Sequence, residues 1–226
     1  MMQFFFVKFS TILILLLTVV LSAFLTREFL RKRFRALLYW SIGMWFFVIG
    51  VLIEVFFAFG FYNMALANSY MLVVALLVEF LALGSIQLVK SIKIRSLYYL
   101  FCAASTLLLL YTIATAPATT IINPYRIAIT FTSVWVAVSS SLITFPAAVI
   151  LVIVAALTYA RTKNAKMLSI IAGVVIVSIA GTLYIAAIPV FLYYSEFVGI
   201  VLLWFGFFSF KMLKSASNER KHNKNR

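Results

Sequence analysis

Long apolar segments separated by short polar ones fill almost the whole chain. A helix of about 20 apolar residues is long enough to cross the hydrocarbon core of a bilayer, and the pattern predicts seven such helices. The predicted spans are 9–26, 36–62, 69–89, 97–116, 141–160, 167–188 and 195–210. We therefore expect an all-α integral membrane protein, a seven-transmembrane-helix bundle. Residues 1–213 form the transmembrane domain and 214–226 a basic, disordered cytoplasmic tail.

Composition agrees with this class and orients the bundle. Hydrophobic residues make up 65% of the chain and charged residues 11%, with a mean hydropathy of +1.15, whereas soluble domains are about 25% charged. The net charge of +14 would favour a nucleic-acid partner in a soluble protein. Here all but Lys8 and Arg126 of the 19 Lys and Arg residues fall on one side of the predicted spans. Cationic loops stay in the cytoplasm, so the N-terminus is expected outside and the C-terminus inside.

The first span has a second interpretation, as a secretory signal peptide. Signal peptides carry their positive charge ahead of the apolar segment, and Lys8 lies there. A heavier positive cluster follows the span, between Arg27 and Arg35. That arrangement favours an uncleaved helix.

Residues 117–143 also allow two interpretations. β-Branched and small residues alternate over 127–131 and again over 134–138, and a period of two is typical of strands. A further membrane helix here would turn the basic segment 161–166 to the outside, against the charge bias. We therefore expect an external β-hairpin, turning at Thr132 and Ser133, or a partly buried loop between helices 4 and 5.

Two glutamates interrupt the second and third spans. Glu54 and Glu79 lie in similar apolar segments, and an ionisable residue within a membrane helix marks a functional site by default. Gln87 shares a helical face with Glu79. If the two helices are adjacent and antiparallel, the carboxyl groups are expected at overlapping depths, where they share a proton or bind a cation. In the alternative interpretation each glutamate is protonated and hydrogen-bonded to a neighbouring hydroxyl, and only ties helices together.

Two further sets of charged residues are candidates for contacts outside the hydrocarbon core. Arg126 and Glu196 are expected at the outer surface, where an ion pair between them would tie the hairpin to the bundle. The basic cluster at the inner end of the first two spans is expected to contact anionic lipid head groups, or only to orient the protein. This cluster consists of Arg31, Lys32, Arg33 and Arg35.

The residues needed for most chemistry are missing from the sequence. Cys102 is the only cysteine and His222, in the tail, the only histidine, so no catalytic residue, metal site or cofactor is predicted. Spans five to seven contain no interior lysine for a retinal Schiff base, and an enzyme acting on lipid lacks a second polar cluster. We expect a non-enzymatic polytopic protein, a receptor-like or sensory module or an accessory subunit. The alternative is a proton-coupled transporter or channel using Glu54 and Glu79.

The expected location is the cell membrane. The predicted partners are membrane lipids and a protein that binds the cytoplasmic loops and tail, and no nucleic acid is expected.

Overall fold

The computed structural model describes residues 2–61, 63–89, 91–115, 120–122, 129–131, 134–163, 169, 172, 173, 176 and 194–206. Within these ranges the elements are α1 Met2–Lys32, α2 Arg35–Ala58, α3 Met64–Ile86, α4 Ile92–Thr115, β1 Thr120–Ile122, β2 Ile129–Phe131, α5 Val134–Thr162 and α6 Tyr194–Gly206. The first five helices are each long and apolar enough to cross a membrane. The chain is therefore a polytopic helical membrane protein.

The five long helices correspond to the first five predicted spans, and each begins earlier than predicted. The sixth predicted span, 167–188, lies outside the described residues except for four positions, and so does the tail 214–226. The seventh, 195–210, begins within one residue of α6. Seven helices and the outward N-terminus remain predictions.

The predicted hairpin is wrong in its second strand. β2 pairs antiparallel with β1, from Thr120 opposite Phe131 to Ile122 opposite Ile129, whereas 134–138 opens the helix α5. A run of β-branched residues alternates in hydrophobicity in a strand, but in an apolar environment the same residues also form helices, because every position is then buried in lipid or protein. The external position of the paired strands stays a prediction.

α5 also contains Pro146 in its interior, not in its first turn as the shorter predicted span implied. Proline has no N–H for the carbonyl four residues earlier. Transmembrane helices tolerate this because neighbouring groups satisfy the freed carbonyl.

α1 and α2 are joined by only two residues. Arg33 adopts a left-handed conformation with φ of 52°, and its N–H donates to the Phe29 carbonyl at 2.7 Å. Such a residue is the usual way to end a helix abruptly. The chain therefore reverses at once, and most of the predicted first basic loop lies within the last turns of α1.

α2 and α3 form the most enclosed part of the bundle. In the most apolar stretch of α3, 67% of the residues are buried, against 22% in that of α5. At one end the Trp40 indole N–H donates to the Leu81 carbonyl at 3.1 Å, with its ring lying over Gly84. A Cβ at Gly84 would come within 2.3 Å of that ring. Glycine permits this close approach of helices, which fixes the antiparallel register of α2 against α3.

α6 packs against the first helix of the chain. The Trp204 indole N–H donates to the Leu17 carbonyl of α1 at 3.2 Å, and Ser169 donates to the Leu202 carbonyl at 2.7 Å. α1 is held to α2 in the same way, because the Ser22 hydroxyl donates to the Met44 carbonyl at 3.0 Å. This arrangement brings the start of α6 to the end of α2.

Candidate functional site

Glu54 lies one helical turn before the end of α2 and is only 2% exposed. Its Oε1 accepts a hydrogen bond from the Tyr70 hydroxyl of α3 at 2.5 Å. The Tyr70 ring in turn packs edge-on against Phe57, one helical turn from Glu54, with ring centroids 6.0 Å apart. The aromatic packing places the tyrosine hydroxyl against the carboxyl group, away from water.

Glu196, the third residue of α6, meets the same carboxyl group. It is 5% exposed, and its carboxyl group lies within hydrogen-bonding reach of that of Glu54. Apart from this contact, Oε2 of Glu54 and Oε2 of Glu196 have no hydrogen-bond donor among the described residues. Two carboxyl groups can bond in this way only if one carries a proton.

The position of Glu196 corrects the expectation that it lies exposed at the outer surface. A glutamate near the start of a helix usually faces solvent and the helix N-terminus, but α6 begins against the end of α2 and carries the side chain inward. Arg126 lies outside the described residues, so the predicted ion pair with Glu196 stays a prediction.

Glu79 lies on α3 and is 4% exposed. Its Oε2 accepts a hydrogen bond from the Thr106 hydroxyl of α4 at 2.7 Å. The Cys102 side chain, one turn earlier on α4, also contacts the carboxyl group, and Cys102 is buried as a free thiol. This carboxyl group is therefore enclosed by α4 side chains.

The structure does not bring Glu54 and Glu79 together. Glu54 is level with Tyr70 on α3, and the contact of Trp40 with Leu81 shows the same antiparallel register at the other end. By this register Glu79 is level with Trp45 of α2, nine positions from Glu54. At 1.5 Å per residue, the two levels are about 14 Å apart. The expected overlapping depth is therefore wrong: equal distance from the turn, not similar sequence surroundings, decides which residues of a helical hairpin meet.

Gln87 joins a different group of side chains. It caps the end of α3, and its amide donates to the Tyr99 hydroxyl at 2.5 Å. Tyr99 in turn donates to the Tyr39 hydroxyl at 3.0 Å. This chain of hydrogen bonds links α3, α4 and α2 at the end of the bundle near the basic cluster, two turns from Glu79.

The basic cluster is partly neutralised by a glutamate of its own helix. Glu28 is 8% exposed, and it forms ion pairs with Arg31 at 3.3 Å and with Lys32. Arg33 and Arg35 continue the cluster into the connection and the first turn of α2. Contact of all four cations with lipid head groups stays a prediction.

Apart from Glu28, the buried acids of the described residues form two sites, which we call the acid pair (Glu54, Glu196 and Tyr70) and the Glu79 site (Glu79, Thr106 and Cys102). No group of three metal-ligating side chains occurs in the described ranges. The chemistry that these residues support is proton binding and hydrogen bonding between helices.

Comparison with other proteins adds no assignment. No protein-family model matches the chain, and neither the curated proteins nor the solved structures include one that is significantly similar to it. The class of polytopic helical membrane protein therefore rests on the helices themselves, and the function on the two acid sites.

Proposed function

We propose that this protein is a non-enzymatic membrane module of the cell membrane, either a receptor-like or sensory component or an accessory subunit of a larger complex. Its N-terminus faces outward and the basic cluster faces the cytoplasm, where a partner protein binds. The buried polar groups of the bundle hold helices in one arrangement, and the cytoplasmic helix ends transmit that arrangement.

One observation supports this proposal best. Each buried acid of the second and third helices is engaged by a hydroxyl of a neighbouring helix, Glu54 by Tyr70 and Glu79 by Thr106. The acids are not placed in reach of one another. Interhelical hydrogen bonds of this kind hold membrane helices together, as a module acting through helix packing requires.

Copurification from native membranes tests the proposal, with Arg33→Asn/Arg35→Gln as the key variant. These two changes remove charge from the basic cluster and spare the ion pairs of Glu28. Asparagine tolerates the left-handed conformation at position 33. We expect the wild type to retain a stoichiometric partner. The amount of partner that copurifies with the variant should be at least tenfold lower.

Lys8→Gln is the matched control, since it removes a charge at the opposite end of the first helix. Equal retention of the partner by the wild type and by Arg33→Asn/Arg35→Gln would contradict docking at the basic cluster. Purification of the wild type as a lone species in a mild detergent would contradict the module itself.

A proton-coupled transporter or channel is the second candidate. It is favoured by the burial of Glu79 within α3, where a carboxyl group is costly and marks an ion pathway in many membrane proteins.

In liposomes with an imposed pH gradient, this function predicts proton-coupled flux that Glu79→Gln reduces at least tenfold. Thr115→Val is the control, because that hydroxyl bonds only its own helix, to the Tyr111 carbonyl. Flux that is unchanged in both Glu79→Gln and Glu54→Gln would exclude this mechanism.

A further inference from the structure

The acid pair contains two carboxyl oxygens that have no hydrogen-bond donor in the described part of the chain. Glu54 and Glu196 come from helices far apart in the sequence, both side chains are more than nine-tenths buried, and each contributes one of these oxygens. Buried polar atoms are nearly always hydrogen-bonded. A ligand that binds two carboxyl oxygens at once would complete the site.

A proton is the ligand that the surroundings favour. α3 contributes Tyr70, a neutral hydroxyl that already donates to Oε1 of Glu54. α1 contributes Lys8, whose ammonium group lies 4.7 Å from the ring centroid of Phe59, just beyond the end of α2. Two like charges held side by side without water repel strongly, and one shared proton removes the repulsion.

The site lies near one end of the bundle. Glu54 is one turn before the end of α2, so a proton path between the carboxyl pair and water would be short. The Glu79 site lies deeper along the same helices.

We propose that Glu54 and Glu196 form a proton-binding site at the end of the bundle opposite the basic cluster, in which one shared proton holds α6 against α2. Loss of the proton leaves two facing carboxylates, which repel each other and loosen α6. The site binds its proton whether or not a partner protein is present, so it does not depend on the proposed docking role. In a sensory module it would make helix packing depend on external pH.

Thermal unfolding of the purified full chain in detergent, followed from pH 5 to pH 9, tests this site. An exposed glutamate releases its proton above about pH 4.3, while the folded pair keeps one. The folded state then binds more protons than the unfolded state, so stability falls as pH rises. From pH 5 up to the pH at which the folded pair loses its shared proton, the unfolding equilibrium constant is expected to increase about tenfold per pH unit, equivalent to a fall in Tm of about 3 to 5 °C per unit, and the slope then ends.

Glu54→Gln and Glu196→Gln are the diagnostic variants. An amide in place of either carboxyl group donates to the remaining carboxylate without needing a shared proton, so the fall in Tm with pH should become shallower in each variant. The buried Glu79 contributes a slope of its own, and the difference in slope between each variant and its parent should therefore be the same in a Glu79→Gln background. A wild type without a slope, or a slope that is unchanged in both Gln variants, would overturn the proposal.

Two further measurements keep the test decisive. If the Gln variants do not fold, infrared spectroscopy of the wild type should show a protonated-carboxyl C=O band that disappears as pH rises. Tyr70→Phe should shift this band, because Tyr70 donates to Glu54. A band unaffected by Tyr70→Phe would overturn the assignment. Recovery of Tm at pH 8 by Na⁺, but not by N-methylglucammonium, would identify a metal-cation site and also overturn it.

The outcomes for the site and for the proposed function are independent. Loss of the pH dependence in the wild type with a partner still copurified would remove only the proton site. A clear pH dependence in a protein that purifies alone would remove only the docking module.

Discussion

Glu54 and Glu79 are buried to the same degree on adjacent helices, yet their neighbours differ in kind. Glu79 meets the hydroxyl of Thr106, a group that forms a hydrogen bond with a carboxyl group in either protonation state. Glu54 faces a second acid, Glu196, and two carboxyl groups can hydrogen-bond to each other only when one of them is protonated. On our proposal the Glu79 site holds helices together, whereas the acid pair responds to pH.

The largest expected difference is between Glu54→Leu and Glu79→Leu. Glu54→Leu leaves Glu196 buried without a partner, and a buried polar group without a hydrogen bond costs up to about 3 kcal/mol. Glu79→Leu leaves the weakly polar Cys102 thiol and the Thr106 hydroxyl, and the hydroxyl can bond a carbonyl of its own helix as that of Thr112 does, so we expect a loss below about 1 kcal/mol. The free energy of unfolding in mixed micelles, titrated with SDS, measures both.

Glu54→Leu/Glu196→Leu provides the matched control. Replacing both members of a buried polar pair is often nearly neutral, so the double variant should recover most of the stability that Glu54→Leu loses. A double variant less stable than Glu54→Leu would show that Glu54 and Glu196 do not interact energetically as a pair.

A smaller effect is expected from Gly84→Ala, which tests the register that keeps the two glutamates at different levels. The added methyl group would lie 2.3 Å from the Trp40 ring, and such overpacking costs about 2 kcal/mol. The same substitution at Gly50, whose nearest contact is Val73 at 3.7 Å, should be nearly neutral. Equal losses of unfolding free energy for the two variants would contradict close packing at Gly84.

The smallest expected effect is that of Thr106→Val, which removes the donor to Glu79. Hydrogen bonds between membrane helices contribute about 1 kcal/mol or less, so the loss in unfolding free energy should be of that order. Thr115→Val, whose hydroxyl is exposed and bonds its own helix, should leave stability unchanged. A loss of unfolding free energy above about 2 kcal/mol in Thr106→Val would contradict a Glu79 site that contributes only one interhelical hydrogen bond.

Much of the fold can be predicted from hydropathy. The five long helices follow from apolar length alone, and only their ends differ, since helices here continue through polar residues such as Glu28 and Arg31. Residues 134–138 show the limit of the method: alternating β-branched residues fit a strand or a lipid-embedded helix equally well, and the tertiary environment decides.

The partners of the two acids are predictable to different extents. In a helical hairpin, residues at equal distances from the turn lie at the same level. Applied to the predicted turn between the third and fourth spans, this rule leads within one residue of Thr106 for Glu79. Applied to the predicted turn between the second and third spans, it places Glu54 opposite Leu77 and not Tyr70, because α2 ends earlier than predicted. No such rule reaches Glu196, because its position depends on how α6 packs against α1 and α2 across most of the chain.

The packing of α6 has a consequence for biosynthesis. Ribosomes deliver the N-terminal helices first, so Glu54 enters the bilayer long before Glu196 is translated. During that interval the glutamate must be held by Tyr70 alone or by the insertion machinery. α6, whose Trp204 donates to the Leu17 carbonyl, then completes the acid pair when it docks, which makes this docking a late checkpoint of assembly.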